Sequence, residues 1–163
     1  MEDDTSMSDT RYGQPPITAL EQRPYQNVSG VLGSRLFAWI IDIIALFFLG
    51  WLVFLLLVVL GIVTFGATWF LIPAATFVTA LGYAALTVGG PRQSTWGMRV
   101  AGLRVETVNG GRPDGIVAAV HALFFYVAAG TVALWLLDIA CGLFRSDRRL
   151  GHDLLTGLVV VRA

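Results

Sequence analysis

Residues 36–60 form a run of twenty-five residues with one charge in it, Asp42, and this run constrains the fold more than anything else in the chain. At about 1.5 Å of rise per residue it measures roughly 37 Å as a helix, enough to cross a hydrocarbon core of about 30 Å. The composition points the same way: 56% of the 163 residues are hydrophobic, 13% are charged, and the mean hydropathy is +0.72. Such values belong to membrane proteins rather than to soluble globules.

A second apolar run, 67–88, carries no charge and has Trp69 near one end and Tyr83 near the other. Only residues 61–66 separate it from the first, which predicts a tight helical hairpin. Pro73 predicts a kink in the second span, while Ala75, Thr79, Ala80 and Ala84 recur at spacings that allow close helix approach. A third run, 116–144, poses a topological problem. It would measure about 44 Å as one straight helix, long for a single crossing, yet two full crossings need roughly 40 residues.

Charge sharpens that problem. All eleven basic residues are arginine. The 61–66 turn has none, the 89–115 loop holds Arg92, Arg99, Arg104 and Arg112, and the C-terminal stretch holds Arg145, Arg148, Arg149 and Arg162. The positive-inside rule puts the loop, the C-terminal stretch and the N-terminus beside Arg23 and Arg35 in the cytoplasm. Residues 116–144 must then leave and return on one side, which predicts a bent or re-entrant pair of short helices broken near Gly130-Thr131. The competing arrangement is a single crossing with an arginine-rich tail on the far side.

Outside the apolar runs, residues 1–33 mix acids, prolines, serines and glycines without periodicity and read as a disordered N-terminal tail, with residues 34–163 as the membrane domain. An acidic start without a short apolar core is not a signal peptide. In the loop, residues 102–108 alternate apolar with polar and Asn109-Gly110-Gly111 follows as a turn, so a short strand is expected there. Asp114 is placed to cap the third apolar segment. The β-branched run 158–161 can pair with that strand only if both lie on one face of the membrane.

The polar residues inside the apolar runs are the candidates for function. An aspartate at the centre of a membrane helix costs on the order of 2.5–3.5 kcal/mol, so Asp42 needs a partner, water or a proton. Arg35 lies seven residues earlier, nearly two turns, and therefore on the same helix face. His121 and Asp138 are the matching groups of the third segment, and the four could line one water-accessible polar strip. That strip is either a pathway for a cation or small solute, or a polar clamp that fixes helix packing. Arg145, Arg148 and Arg149 stand where anionic headgroups would meet them.

Several classes lack support. Zero formal net charge gives no sign of nucleic-acid binding. The lone Cys141 offers neither a disulfide framework nor a paired-cysteine motif. His152-Asp153 lacks both a nucleophile elbow and a second metal-ligand histidine, and no phosphate-cradling loop occurs. An enzyme, a cofactor and a metal site are accordingly not expected.

The polar residues also fall in a recognisable order. Ser34-Arg35-Leu36 with Asp42 opens the first span, Thr95-Trp96-Gly97-Met98-Arg99 and Gly102-Leu103-Arg104-Val105 follow in the loop, and Arg149-Leu150-Gly151-His152-Asp153 with Thr156-Gly157 closes the chain. Over about residues 30–163 this resembles the RDD family of small bacterial membrane proteins, whose one arginine and two aspartates would be Arg35, Asp42 and Asp153. Thr95 and Gly97 match its loop motif, although Met98 stands where that motif has lysine and Thr156-Gly157-Leu158 stands for Ala-Gly-Thr. The resemblance implies a multi-pass protein of the bacterial inner membrane, with transport suspected and cation/proton antiport proposed for some members. It also makes Asp153 a candidate to pair with a loop arginine such as Arg99 or to cap a short turn at 154–156.

The expected fold is therefore an all-α membrane protein, a small transmembrane helical bundle of three hydrophobic segments, the third bent or re-entrant, with a short cytoplasmic β element. The expected function is transport of a cation or small solute past Arg35 and Asp42, with the lipid bilayer as environment and a homo-oligomer as assembly. The alternative is a non-transporting accessory protein that anchors or binds a partner.

Overall fold

The computed structural model describes residues 28–163, so the tail expected at 1–33 lies for the most part outside the described residues. Its last three residues are helical. Helix α1 (Val31–Val63) begins after Gly30, which adopts a left-handed backbone (φ 65°). It starts earlier than the apolar run because Val31 is buried in the core formed with Ala38, Leu103, Val105, Leu158 and Val160. At 33 residues, α1 is longer than a bilayer core requires, and its N-terminal turns serve as a packing surface. Much of the remainder is exposed, Phe48 at 67% and Ile62 at 69%. A contiguous apolar surface of this extent is a lipid-facing one.

The hairpin turn is shorter than 61–66, because α1 continues to Val63. Phe65 (φ 49°) and Gly66 (φ 90°) reverse the chain in left-handed conformations, and the Thr64 hydroxyl donates to the Leu60 carbonyl at 2.8 Å. A 3-10 turn (Ala67–Leu71) leads into helix α2 (Ile72–Val88). The second span is not one continuous α-helix: the 3-10 turn gives way to α2 just before Pro73. Pro73 sits in the first turn of α2, where a missing amide costs nothing and the fixed φ suits a helix start. The stretches Val31–Val63 and Ala67–Val88 are each long and apolar enough to cross a membrane.

The third apolar run forms two helices, α4 (Gly115–Ala129) and α5 (Val132–Phe144), with the break at Gly130-Thr131. At roughly 22 and 20 Å each is short of a 30 Å core. Asp114 caps α4 as expected, its carboxylate accepting the Ile116 amide at 2.6 Å. Helix α4 packs closely on α2: a Cβ on Gly89 would run into the backbone of Gly115.

Helix α3 (Trp96–Val100) precedes strand β1 (Leu103–Thr107), and helix α6 (Gly151–Thr156) precedes strand β2 (Leu158–Arg162). The strands are where the alternation and the β-branched run put them. They pair antiparallel, Leu103 opposite Arg162 and Thr107 opposite Leu158. Helices α3 and α6 lie in stretches that lack apolar periodicity, and both are too short to be stable alone. They persist because side chains from the long helices bind their first turns.

Because β1 and β2 share a sheet, the loop after β1 and the C-terminus lie on one side of the membrane. In a Cys141→Ala background, Asn109→Cys and Ala163→Cys should react with a membrane-impermeant maleimide from the same side in vesicles. Labelling from opposite sides would mean that the strands are not paired.

Candidate functional site

Asp42 lies about two turns beyond Arg35 on α1, and its carboxylate is fully engaged at the start of α3. Oδ1 accepts the Gly97 amide at 2.9 Å and the Tyr83 hydroxyl at 2.7 Å, and Oδ2 accepts the Thr95 hydroxyl at 2.6 Å. The remaining free amides of that helix end are used as well. Trp96 N–H donates to the Tyr83 oxygen at 2.9 Å and Met98 N–H to the Thr95 oxygen at 3.1 Å. Thr95 is thus the N-cap, while Asp42 and Tyr83, reaching in from α1 and α2, act as two further caps. Gly97 is required there, because a Cβ would strike the Ala38 carbonyl and crowd the Asp42 carboxyl.

Arg35 does not turn toward Asp42. It forms a two-pronged ion pair with Asp153, Nη1 to Oδ2 at 2.5 Å and Nη2 to Oδ1 at 2.9 Å. The Arg35 side chain is 9% exposed and that of Asp153 0%. Asp153 also accepts the Leu150 amide at 2.8 Å, closing the start of α6 from its third position. Burial alone would push the Asp153 carboxyl up, but the adjacent Arg35 guanidinium reverses this and holds it well below the usual carboxylate range. The expected partner Arg99 is not involved; it donates to the Ser94 carbonyl at 3.2 Å. Arg99 belongs to α3, which Asp42 draws against α1, whereas Asp153 faces the first turns of α1.

Asp138 serves α6 as Asp42 serves α3. Its Oδ1 accepts the His152 amide at 2.7 Å, and Nδ1 of the His152 ring lies 2.8 Å from Oδ2. A Cβ on Gly151 would crowd the same carboxylate. His121, from α4, meets this group: its Nδ1 is 3.1 Å from the Thr156 hydroxyl, and its ring centroid is 4.6 Å from that of His152. The second histidine that is missing from the neighbourhood of His152 in sequence is therefore supplied by the fold.

Arg35, Asp42, His121 and Asp138 thus divide between two clusters instead of meeting in one strip. Arg35, Asp42, His121, His152 and Tyr83 nevertheless border a single cavity of about 350 Å³ between α1, α2, α4 and α5, whose other walls are mostly apolar. Asp138 stands behind it. Tyr83 and His152 are the residues that motif reasoning undervalued. The available signals were a hydroxyl in a charge-free span and the fact that the chain has only two histidines. Of the arginines expected at the headgroups, Arg145 and Arg148 are exposed and Arg149 is buried. Arg149 donates to the carbonyls of Leu158 (2.9 Å) and Asp153 (3.2 Å), Arg148 donates to the Leu143 carbonyl, and Arg145 pairs with Asp147 at 2.8 Å. That hydrogen bond holds the Asp147 carboxyl below its ordinary range.

Arg35→Ala or Asp153→Ala strands a buried charge and should cost about 3–5 kcal/mol. The double variant Arg35→Leu/Asp153→Leu should lose less than either single change, and Arg35→Lys should recover only part, since an ammonium cannot make both parallel bonds. Gly97→Ala should cost about 1–3 kcal/mol through the clash with α1. Thermal unfolding in detergent micelles followed by circular dichroism checks each value; a double variant weaker than both singles would contradict the ion-pair account.

No curated protein and no solved structure matches the chain. The model of the RDD family matches it over residues 30–157, a stretch that includes Arg35 and Asp42 on α1, Thr95 and Gly97 on α3, and Asp153 on α6. The chain belongs to the RDD family.

Proposed function

We propose that this chain is a multi-pass protein of the bacterial inner membrane that passes a cation or small solute through the cavity bordered by Arg35 and Asp42. The supporting observation is that cavity: about 350 Å³ of space with a mostly apolar lining, bordered by an arginine, an aspartate, two histidines and two tyrosines, Tyr83 and Tyr126. Polar groups so placed inside a membrane bundle mark substrate and ion routes. In this arrangement α1 and α2 cross the bilayer and the α4–α5 pair enters and leaves on the arginine-rich side. The N-terminus, the strand pair and the C-terminus are then cytoplasmic. A homo-oligomer would complete the route, since so few helices enclose little volume by themselves.

A non-transporting accessory protein is the second proposal, and the saturation of Asp42 favours it. Both Asp42 oxygens are bound by donors of the protein, as expected of a fastener between α1 and α3. Asp42→Asn separates the two. Its amide oxygen can keep the Gly97 and Tyr83 bonds and its amino group can donate to the Thr95 oxygen, so the fold survives while the charge is removed. In proteoliposomes with a trapped pH dye, wild-type protein should give cation-driven proton movement that Asp42→Asn abolishes without loss of folded protein. Absence of flux under sodium, potassium and lithium gradients, with the variant merely less stable, would overturn the transport proposal in favour of the accessory one.

A further inference from the structure

We propose that His121, His152 and Asp153 bind a divalent first-row transition-metal ion of the Zn2+ type. The chain has two histidines, 31 positions apart in sequence, and the fold brings both to one carboxylate. Nε2 of His121 lies 3.6 Å and Nε2 of His152 lies 3.5 Å from the same Oδ1 of Asp153. One donor atom from each residue falls within 4.8 Å of the others, and all three residues are buried. A tetrahedral Zn2+ with bonds of about 2.0–2.1 Å keeps its ligand atoms roughly 3.4 Å apart, which the two histidine–carboxylate separations already match; the rings then draw together from within the 4.8 Å that bounds the trio.

The surroundings fit the same chemistry. A metal-bound histidine ordinarily has its other ring nitrogen held by an oxygen partner. Here Nδ1 of His152 is 2.8 Å from the Asp138 carboxylate and Nδ1 of His121 is 3.1 Å from the Thr156 hydroxyl, which leaves both Nε2 atoms directed at Asp153. Phe125 lies against the His152 ring, 5.3 Å between centroids, and screens it from solvent. Both histidines border the cavity, which provides an entry path and room for a fourth ligand such as water. Two nitrogens and one oxygen suit Zn2+ or Co2+ rather than Mg2+ or Ca2+.

Among the described residues, Arg35 is the group that opposes the ion. Its Nη2 is 3.4 Å from Nε2 of His152 and 2.9 Å from Oδ1 of Asp153, so it must yield Oδ1 to the ion while Nη1 keeps Oδ2. With the ion bound, the carboxylates Asp138 and Asp153 offset two of the three positive charges of the ion and Arg35. The expectation of no metal site came from the lack of a ligand histidine near His152 in sequence; His121 fills that place through the packing of α4 on α6.

The site does not depend on the transport proposal, and ion binding without flux, or flux without ion binding, tells them apart. Full-length, tag-free protein in detergent, stripped with chelator, should bind Zn2+ in a 1:1 ratio by titration calorimetry. Co2+ bound in its place should show the intense visible bands of four-coordinate cobalt. Zn2+ should raise the unfolding temperature of wild type. His121→Gln and His152→Gln should each lose the 1:1 binding, the cobalt bands and the Zn2+-induced shift while still showing a cooperative unfolding transition. If either variant fails to fold, competition of Zn2+ for the wild-type cobalt bands carries the test. Absence of 1:1 binding and of cobalt bands in folded wild type, or binding unchanged in both folded variants, would overturn the proposal.

Discussion

A buried guanidinium–carboxylate pair ties the two ends of this chain together. Arg35 near the start of α1 and Asp153 in α6 are 118 residues apart, and neither could remain buried without the other. The pair does more than join two points. Helix α6 has six residues and cannot persist alone; Arg35 fixes its third position and Asp138 its second. Because α6 runs through left-handed Gly157 straight into β2, that anchoring also sets where β2 meets β1. The buried cluster of Val31, Leu103, Val105, Leu158 and Val160 then closes beneath the pair.

The two aspartates of the apolar segments reach the same arrangement by separate routes. An anion at this depth has lost its water, and a short helix start has amides with no partner of their own. Asp42 takes the second amide of α3 and Asp138 the second amide of α6. Each deficit offsets the other, and hydrogen bonds to an ionised acceptor are the stronger kind. The close approach needs a glycine in the first turn, Gly97 in one case and Gly151 in the other. The loop motif Thr-x-Gly therefore has a mechanical meaning: threonine caps, and glycine admits the aspartate of the neighbouring helix.

The same economy bears on the cavity. With Arg35, Asp42 and Asp153 bound into the scaffold, the cavity wall retains the two Nε2 atoms of His121 and His152 as groups not claimed by a short hydrogen bond. Chemistry at this cavity can draw on them and on Tyr126, which borders the same space.

Apolar run length, turn residues and arginine distribution were enough to locate α1, α2, the break at Gly130-Thr131, the cap at Asp114 and both strands. Each of these follows from local rules of helix length, capping or alternation that act over a few residues. Helix α3 escaped, and of α6 only a short turn at 154–156 was expected, because their amphipathic signal is absent and their stability is borrowed from distant carboxylates. The partner of Asp153, sought among loop arginines such as Arg99, was misassigned for a related reason. Spacing along one helix says that Arg35 and Asp42 share a face, but an ion pair is chosen by desolvation and geometry between segments. The alignment of α1 with α6 presents Asp153 to Arg35 while α3 occupies Asp42. Local periodicity thus dictates which residues enter the membrane and which carry charge there, and the assignment of each charge to its partner arises only when the helices pack, because burial makes an unpaired charge too costly to leave.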